Sequence, residues 1–248
     1  MIIIAATIAV LGSILVIQSQ YDDGVFNGIL GEAPRIVLNT ELPKGPSEMP
    51  VYKVLDQDTY RYHIGDYYAF KDLPTDEEAI HVAYDFLTSR DLIPDDAVFH
   101  KTYTMYETTI SNDSVVTKTP IAIFVSYRRI IDSYPVVGPG NFIDVDILSL
   151  HQNINEVVKC RKSWRVIEYA NDTKIINAEE AYQKLSKGET IESTPLSSYQ
   201  ETFDINEVFL GYHSNVPSEP QKYYEPVWVF HGSIGDNSNI KFSVNACE

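Results

Sequence analysis

The stretch from Val125 to Ile147 constrains the fold of this chain most. It reads Val-Ser-Tyr-Arg-Arg-Ile-Ile-Asp-Ser-Tyr-Pro-Val-Val-Gly-Pro-Gly-Asn-Phe-Ile-Asp-Val-Asp-Ile. Leading into it, Ile121, Ile123, Val125 and Tyr127 alternate with Ala122, Phe124, Ser126 and Arg128. Leading out of it, Ile143, Val145 and Ile147 alternate with Phe142, Asp144 and Asp146. Alternation of period two sorts side chains onto the two faces of a strand. Between the two runs, the prolines and glycines from Tyr134 to Gly140 form a corner that neither strand can pass through unbent. The expectation is strand, corner, strand.

Helix signals flank this core. Thr75-Asp76-Glu77-Glu78 is a capping box: the threonine oxygen accepts the amide three residues on, and Glu78 reaches back. Ile80, Ala83, Tyr84 and Leu87 then fall on one face, and Pro94 stops any continuation. Asn177-Ala178-Glu179-Glu180 repeats the signal, with Ile176 as a staple, Ala178, Ala181, Tyr182 and Leu185 as the apolar face, and Gly188 as a C-cap. Strands are expected at Met49 to Leu55, Val98 to Ile110, Pro120 to Ile131, Ser163 to Tyr169, Ile205 to Tyr212 and Tyr223 to His231, with a turn and short strand at Asn153 to Val158. A last one covers Ile240 to Ala246. The order capped helix, then antiparallel strands, occurs twice. The expected fold class is α+β: two repeated modules, each a helix packed on an antiparallel sheet, after an N-terminal hydrophobic anchor. The expected divisions are 1–20 anchor or signal, 21–48 tether, 49–158 first module and 159–248 second module.

Ile2 to Ile17 is a nearly unbroken apolar run, and no Lys or Arg precedes Arg35. It is just shorter than the about 17–25 residues of a spanning helix and longer than most secretory cores. An uncleaved anchor and a cleaved signal are both open, with a buried core helix as the ordinary alternative. The expected location is the cell membrane, with the bulk outside the cytoplasm; the alternative is secretion. Gly24, Gly28, Gly31, Pro34, Pro43, Gly45 and Pro46 make the following segment a tether.

Export bears on the two cysteines, Cys160 and Cys247, which are either a disulfide or two separate thiols. It bears equally on the sequons at Asn112 and Asn171, which are candidate glycosylation sites. A formal net charge of -16 repels phosphate backbones, so nucleic acid is not an expected partner. Seventeen tyrosines favour half-buried strand faces.

No residue set demands a reaction. The histidines (His63, His81, His100, His151, His213 and His231) lack metal-ligand spacing, and no Gly-x-Ser-x-Gly elbow occurs. Gly138-Pro139-Gly140 is turn geometry and no phosphate loop, because proline removes an amide donor. Asp144 and Asp146 read as a solvated strand face. Arg128 and Arg129 read as paired with acidic neighbours, and Trp228 as packed in a sheet. As partner-binding candidates the chain offers Tyr127, Arg129, Tyr134 and Trp228. No catalytic residue, cofactor or metal is expected.

A capped helix opening with Glu-Glu-Ala, then Tyr-Pro-Val-Val-Gly-Pro-Gly and Phe-Ile-Asp-Val, resembles the PepSY-type module. With Ile-Asn-Ala-Glu-Glu-Ala and Glu-Pro-Val-Trp-Val-Phe in the second copy, the chain is similar to exported regulatory proteins of the YycI and YycH type. It is also similar to the repeat region of the spore-germination protein YpeB. The resemblance spans roughly Tyr52 to Ala246. It implies a membrane-tethered, extracytoplasmic, non-catalytic protein that binds and regulates another protein, such as a sensor kinase. The alternative is a peptidase inhibitor or propeptide-like chaperone; an uncharacterised hydrolase comes third.

Overall fold

A computed structural model describes residues 35–64, 73–111, 114–150, 154–191 and 201–248. In chain order its elements are β1 (Ile36–Leu38), β2 (Glu48–His63), α1 (Asp76–Thr88), β3 (Ala97–Ser111), β4 (Ser114–Ile131), β5 (Tyr134–Val137) and β6 (Phe142–Leu150). There follow β7 (Ile154–Lys174), α2 (Ala178–Ser186), β8 (Phe203–His213), β9 (Tyr223–Tyr224), β10 (Pro226–Ile234) and β11 (Asn237–Asn245). Strand dominates, and the sheet is mixed, because β1 runs parallel to β8. This corrects the expected α+β class of two helix-on-antiparallel-sheet modules. In the sequence the charged residues of Lys159–Lys162 separate two apolar stretches. Those charges are satisfied by acidic partners, so the chain stays extended and β7 is one strand of 21 residues.

The chain forms two compact units. One holds the described residues up to Tyr52 with Tyr169–His213 and Tyr223–Glu248; the other holds Lys53–Glu168 with Ser214–Lys222. Strands β2 and β7 each begin in one unit and end in the other.

In the Lys53–Glu168 unit, β3, β4, β6 and β7 pair antiparallel in that order, and β5 pairs with the end of β4. The register Val125↔Val145 and Val145↔Cys160 stacks apolar residues on one face. α1 covers that face through Ala79, Ala83 and Leu87, which join Ile123, Val125, Ile143, Ile147 and Trp164 in one core. The buried helix stripe sits slightly off the expected one: Ala79 is buried, whereas Tyr84 is exposed.

The capping box forms as the sequence implies, with Glu78 N donating to Thr75 Oγ1 (3.3 Å) and Thr75 N to Glu78 Oε2 (2.8 Å). The helix ends in a left-handed residue, Asp91 (φ 55), with Leu92 N donating to Leu87 O at 2.9 Å.

The chain reverses before the expected corner, in a two-residue turn of Asp132 and Ser133, both with positive φ, and Tyr134–Val137 of that corner is the strand β5. Positive φ at both turn residues marks the turn type whose twist matches a hairpin. Beyond β5, a Cβ on Gly140 would meet Ser214 Oγ at 1.9 Å and Asn215 O at 2.1 Å, so only glycine fits there. The segment it contacts is held by Arg165, which is 1% exposed. Its guanidinium donates to Ser214 Oγ (2.6 Å) and to the carbonyls of Asn215 (3.2 Å), Val216 (3.3 Å) and Glu219 (3.2 Å). Asn141 joins in, accepting from Arg165 N and donating to Ser214 Oγ.

In the other unit, β8, β10 and β11 are antiparallel, and β1 lies along β8. α2 buries Ala178, Ala181, Tyr182 and Leu185, the expected face, and ends at Gly188 (φ 76). Glu189 N donates to Lys184 O and Gly188 N to Leu185 O, closing the helix as a Schellman motif. Phe203, Phe230, Phe242, Tyr212 and Trp228 fill its core.

Among the described residues no helix is long and apolar enough to cross a membrane. Segment 1–20 and residues 21–34 of the expected 21–48 tether lie outside the described residues. The expectation of a membrane location through a single N-terminal anchor, with its transmembrane-helix and repeat-module description, is corrected accordingly.

Candidate functional site

The face of the β3–β4–β6–β7 sheet opposite α1 carries a cluster of charged and aromatic residues. Alternation on β4 places Phe124, Ser126 and Arg128 there, and alternation on β6 places Phe142, Asp144 and Asp146 there. The register sets Ser126 opposite Asp144, and their hydroxyl and carboxylate hydrogen bond at 3.0 Å. Arg128 Nη1 donates to the same carboxylate at 3.0 Å, and Arg161 on β7 lies 3.5 Å from its other oxygen. Lys159 lies 3.9 Å from Asp146. The carboxylates are the buried partners: the Asp146 side chain is 5% exposed and that of Arg161 48%. The expected solvated aspartate face is therefore a paired, buried one with its cations outermost.

β3 forms the rim. Tyr103 stacks on Phe124 with ring centroids 4.4 Å apart, and Lys101 lies over Tyr103 at 5.6 Å. Lys118 on β4 lies over Tyr106 at 4.3 Å. Burial raises the Tyr103 pKa, Asp144 and Asp146 raise it further, and Arg161 and Arg128 oppose them. Its phenol is therefore neutral at neutral pH and free to donate a hydrogen bond.

Among the described residues β3 pairs with β4 and with no other strand. Val98, Phe99, Tyr103 and Tyr106 are all exposed along it. Register shifts occur at Phe99/Lys101, Met105/Tyr106 and Thr109/Ile110. Such bulges twist a strand and blunt an edge, so Lys101–Met105 is the regular stretch between them.

The partner-binding candidates from the sequence lie elsewhere. Tyr127 is buried in the core under α1, and burial, with Tyr84 nearby, pushes its pKa up to about 12. Arg129 is 5% exposed. It donates to Asp96 through Nε (2.7 Å) and to the Arg165 carbonyl (2.6 Å), while Trp164 Nε1 donates to Asp96 (3.0 Å). That is the pairing the sequence favoured. Trp228 is buried and donates to the Ile176 carbonyl at 2.9 Å. Tyr134 is half-buried in β5. Of the four, Tyr127 touches an exposed side chain of β3, meeting the Phe99 ring edge-on at 6.2 Å. Tyr103, Tyr106, Lys101 and Lys118 were missed because alternation assigns a face without saying which face is covered.

Cys160 and Cys247 are free thiols, so the disulfide alternative is not realised. Cys160 is buried between Val145 and its neighbours, and that burial pushes its pKa up to about 12. A protonated thiol is a poor nucleophile and a poor metal ligand. Asn171 is exposed on β7, and Asn112 lies outside the described residues. Among the described residues no group of three or more His, Cys, Asp or Glu side chains is placed to hold a metal ion. His81 pairs with Asp85 along α1 and His231 with Glu207 across β8 and β10.

No family model and no curated protein matches the chain, so the PepSY-type and YycI-type description is set aside. A crystal structure of an uncharacterized protein from Eubacterium rectale aligns over 71% of this chain with 13% identity and a TM-score of 0.36. The chain spans 55% of that protein's length. A likeness that loose establishes neither fold nor function.

Proposed function

We propose that this is a non-catalytic binding protein that takes up an extended segment of another protein along the edge of β3, and regulates that partner by occupying the segment. The observation that carries this reading is β3 itself. It is a 15-residue strand with four exposed apolar or aromatic side chains, paired on one side among the described residues. A strand edge offers unpaired amides and carbonyls to an incoming chain, and alternate side chains supply specificity. The face beside it adds stacked aromatic rings and outward cations, while its carboxylates are neutralised, which suits recognition better than proton transfer. Peptides selected for binding from a random library test the reading by amide hydrogen exchange. Protection concentrated in Lys101–Met105 supports it. Binders that leave β3 exchange unchanged refute it.

A further inference from the structure

Among the described residues the outer face of the β3–β4–β6–β7 sheet carries five cations, Lys101, Lys118, Arg128, Lys159 and Arg161. Three carboxylates share it: Asp144, Asp146 and Glu156. The local balance is therefore positive in a chain of formal net charge -16. Depth sharpens the contrast. Asp144 and Asp146 are buried beneath the cations that pair with them, whereas Lys101 and Lys118 are exposed and, among the described residues, face no carboxylate within salt-bridge distance. Each of those two lysines lies over a tyrosine ring, which holds its ammonium on the outer surface. Lys101 thus opens the regular stretch of the edge, and Lys118, opposite Thr108, stands just beyond its other end.

We infer that the segment laid along Lys101–Met105 is acidic: a short extended stretch of a partner protein whose Asp or Glu side chains meet Lys101 and Lys118 while its backbone pairs with β3. This rests on the strand-addition reading above and adds the chemistry of the occupant. The bulges on either side limit the regular pairing to about five residues, about 17 Å of strand. A charge every second residue on the incoming strand then falls on the cationic face, because side chains alternate with period two. A complex of this kind forms faster at low ionic strength, since the rim charges steer the encounter.

Three ten-residue peptides of matched β-propensity, alternating Val or Thr with Glu, with Lys or with Ser, separate the possibilities when titrated against the full chain. A ten-nucleotide oligothymidylate is the fourth ligand. The readouts are affinity at two salt concentrations and amide exchange of β3. The expected result is that the Glu peptide binds most tightly, protects Lys101–Met105 and weakens as salt is raised. The double variant Lys101→Glu, Lys118→Glu then loses roughly tenfold in affinity for it, two exposed ion pairs having turned repulsive. Both lysines are exposed, so an unchanged unfolding transition checks that the variant folds. Preferential protection of β3 by the Lys or Ser peptide overturns the acidic assignment and leaves strand addition standing. Protection by the oligonucleotide in place of the peptides overturns the choice of a protein partner. Binding by none of the four, or binding that leaves β3 unprotected, overturns strand addition and the acidic assignment with it.

Discussion

Replacing Gly140 by alanine adds one methyl group where there is no room for it. The new Cβ would lie 1.9 Å from Ser214 Oγ, 2.1 Å from the Asn215 carbonyl oxygen and 2.6 Å from Arg165 Nη1. Rotating Ser214 away relieves the first contact, but it breaks the hydrogen bonds that Oγ accepts from Asn141 (3.1 Å) and Arg165 (2.6 Å). One neutral and one charge-assisted bond together contribute about 3 kcal/mol. The Asn215 carbonyl is backbone and moves only with its loop. Expelling that loop strips Arg165 of its partners, a buried cation left uncompensated at a similar or greater cost. Both routes predict that Gly140→Ala destabilises the Lys53–Glu168 unit by about 3 kcal/mol, the upper end of overpacking effects. The two tryptophans divide between the units, Trp164 in this one and Trp228 in the other. Urea unfolding in a Trp228→Phe background therefore reads the unit through Trp164. A Gly140→Ala chain within about 0.5 kcal/mol of its parent, the range of ordinary surface substitutions, would refute the argument.

Asp91 holds the left-handed position at the end of α1 that Gly188 holds after α2, so Asp91→Gly is expected to stabilise by about 1 kcal/mol in the same urea assay. Arg129→Met leaves the Arg165 carbonyl without its donor and the Asp96 carboxylate without its cation, holding only Trp164 Nε1, and it is expected to destabilise by about 3 kcal/mol, read as a shift of the Trp164 transition. The Cys160 thiol has its pKa raised from 9.0 to about 12 on folding, so the folded chain holds a proton that the unfolded chain loses. Its contribution is fully present below pH 9 and falls as pH rises to 12, by up to about 1.4 kcal/mol per pH unit. Unfolding free energies across that range should show the decline, and Cys160→Ala should remove that part of it, leaving the parts from Cys247, Tyr103, Tyr127 and Tyr182, whose pKa values folding also raises.

Local chemistry was the most legible part of the sequence. Both capping boxes form with the residues expected, because a cap depends on four consecutive side chains and little else. The buried face of α2 was also readable, since its apolar residues define a single stripe. On α1 the stripe was misplaced by part of a turn: Tyr84 and Ala79 compete for the core side, and the sheet beneath accepts the small residue. What failed was long-range. Two short strands and a turn were expected where β7 runs unbroken, because Lys159, Arg161 and Lys162 look like loop residues until their partners Asp146, Asp144 and Asp58 are in place. The corner's second role was invisible for the same reason, since the segment that requires Gly140 begins at Ser214. The candidate site was half legible. Alternation put Asp144 and Asp146 on one face, but only the register with β4 and β7 shows them paired beneath cations.

The central claim is that β3 receives a strand. A crystal structure of the full chain with the alternating Val-Glu peptide tests it directly. The account predicts a peptide backbone about 4.8 Å from β3, hydrogen-bonded to residues within Lys101–Met105, with its carboxylates toward Lys101 and Lys118. A peptide bound at any other surface, or lying on the sheet face without pairing to β3, would contradict it.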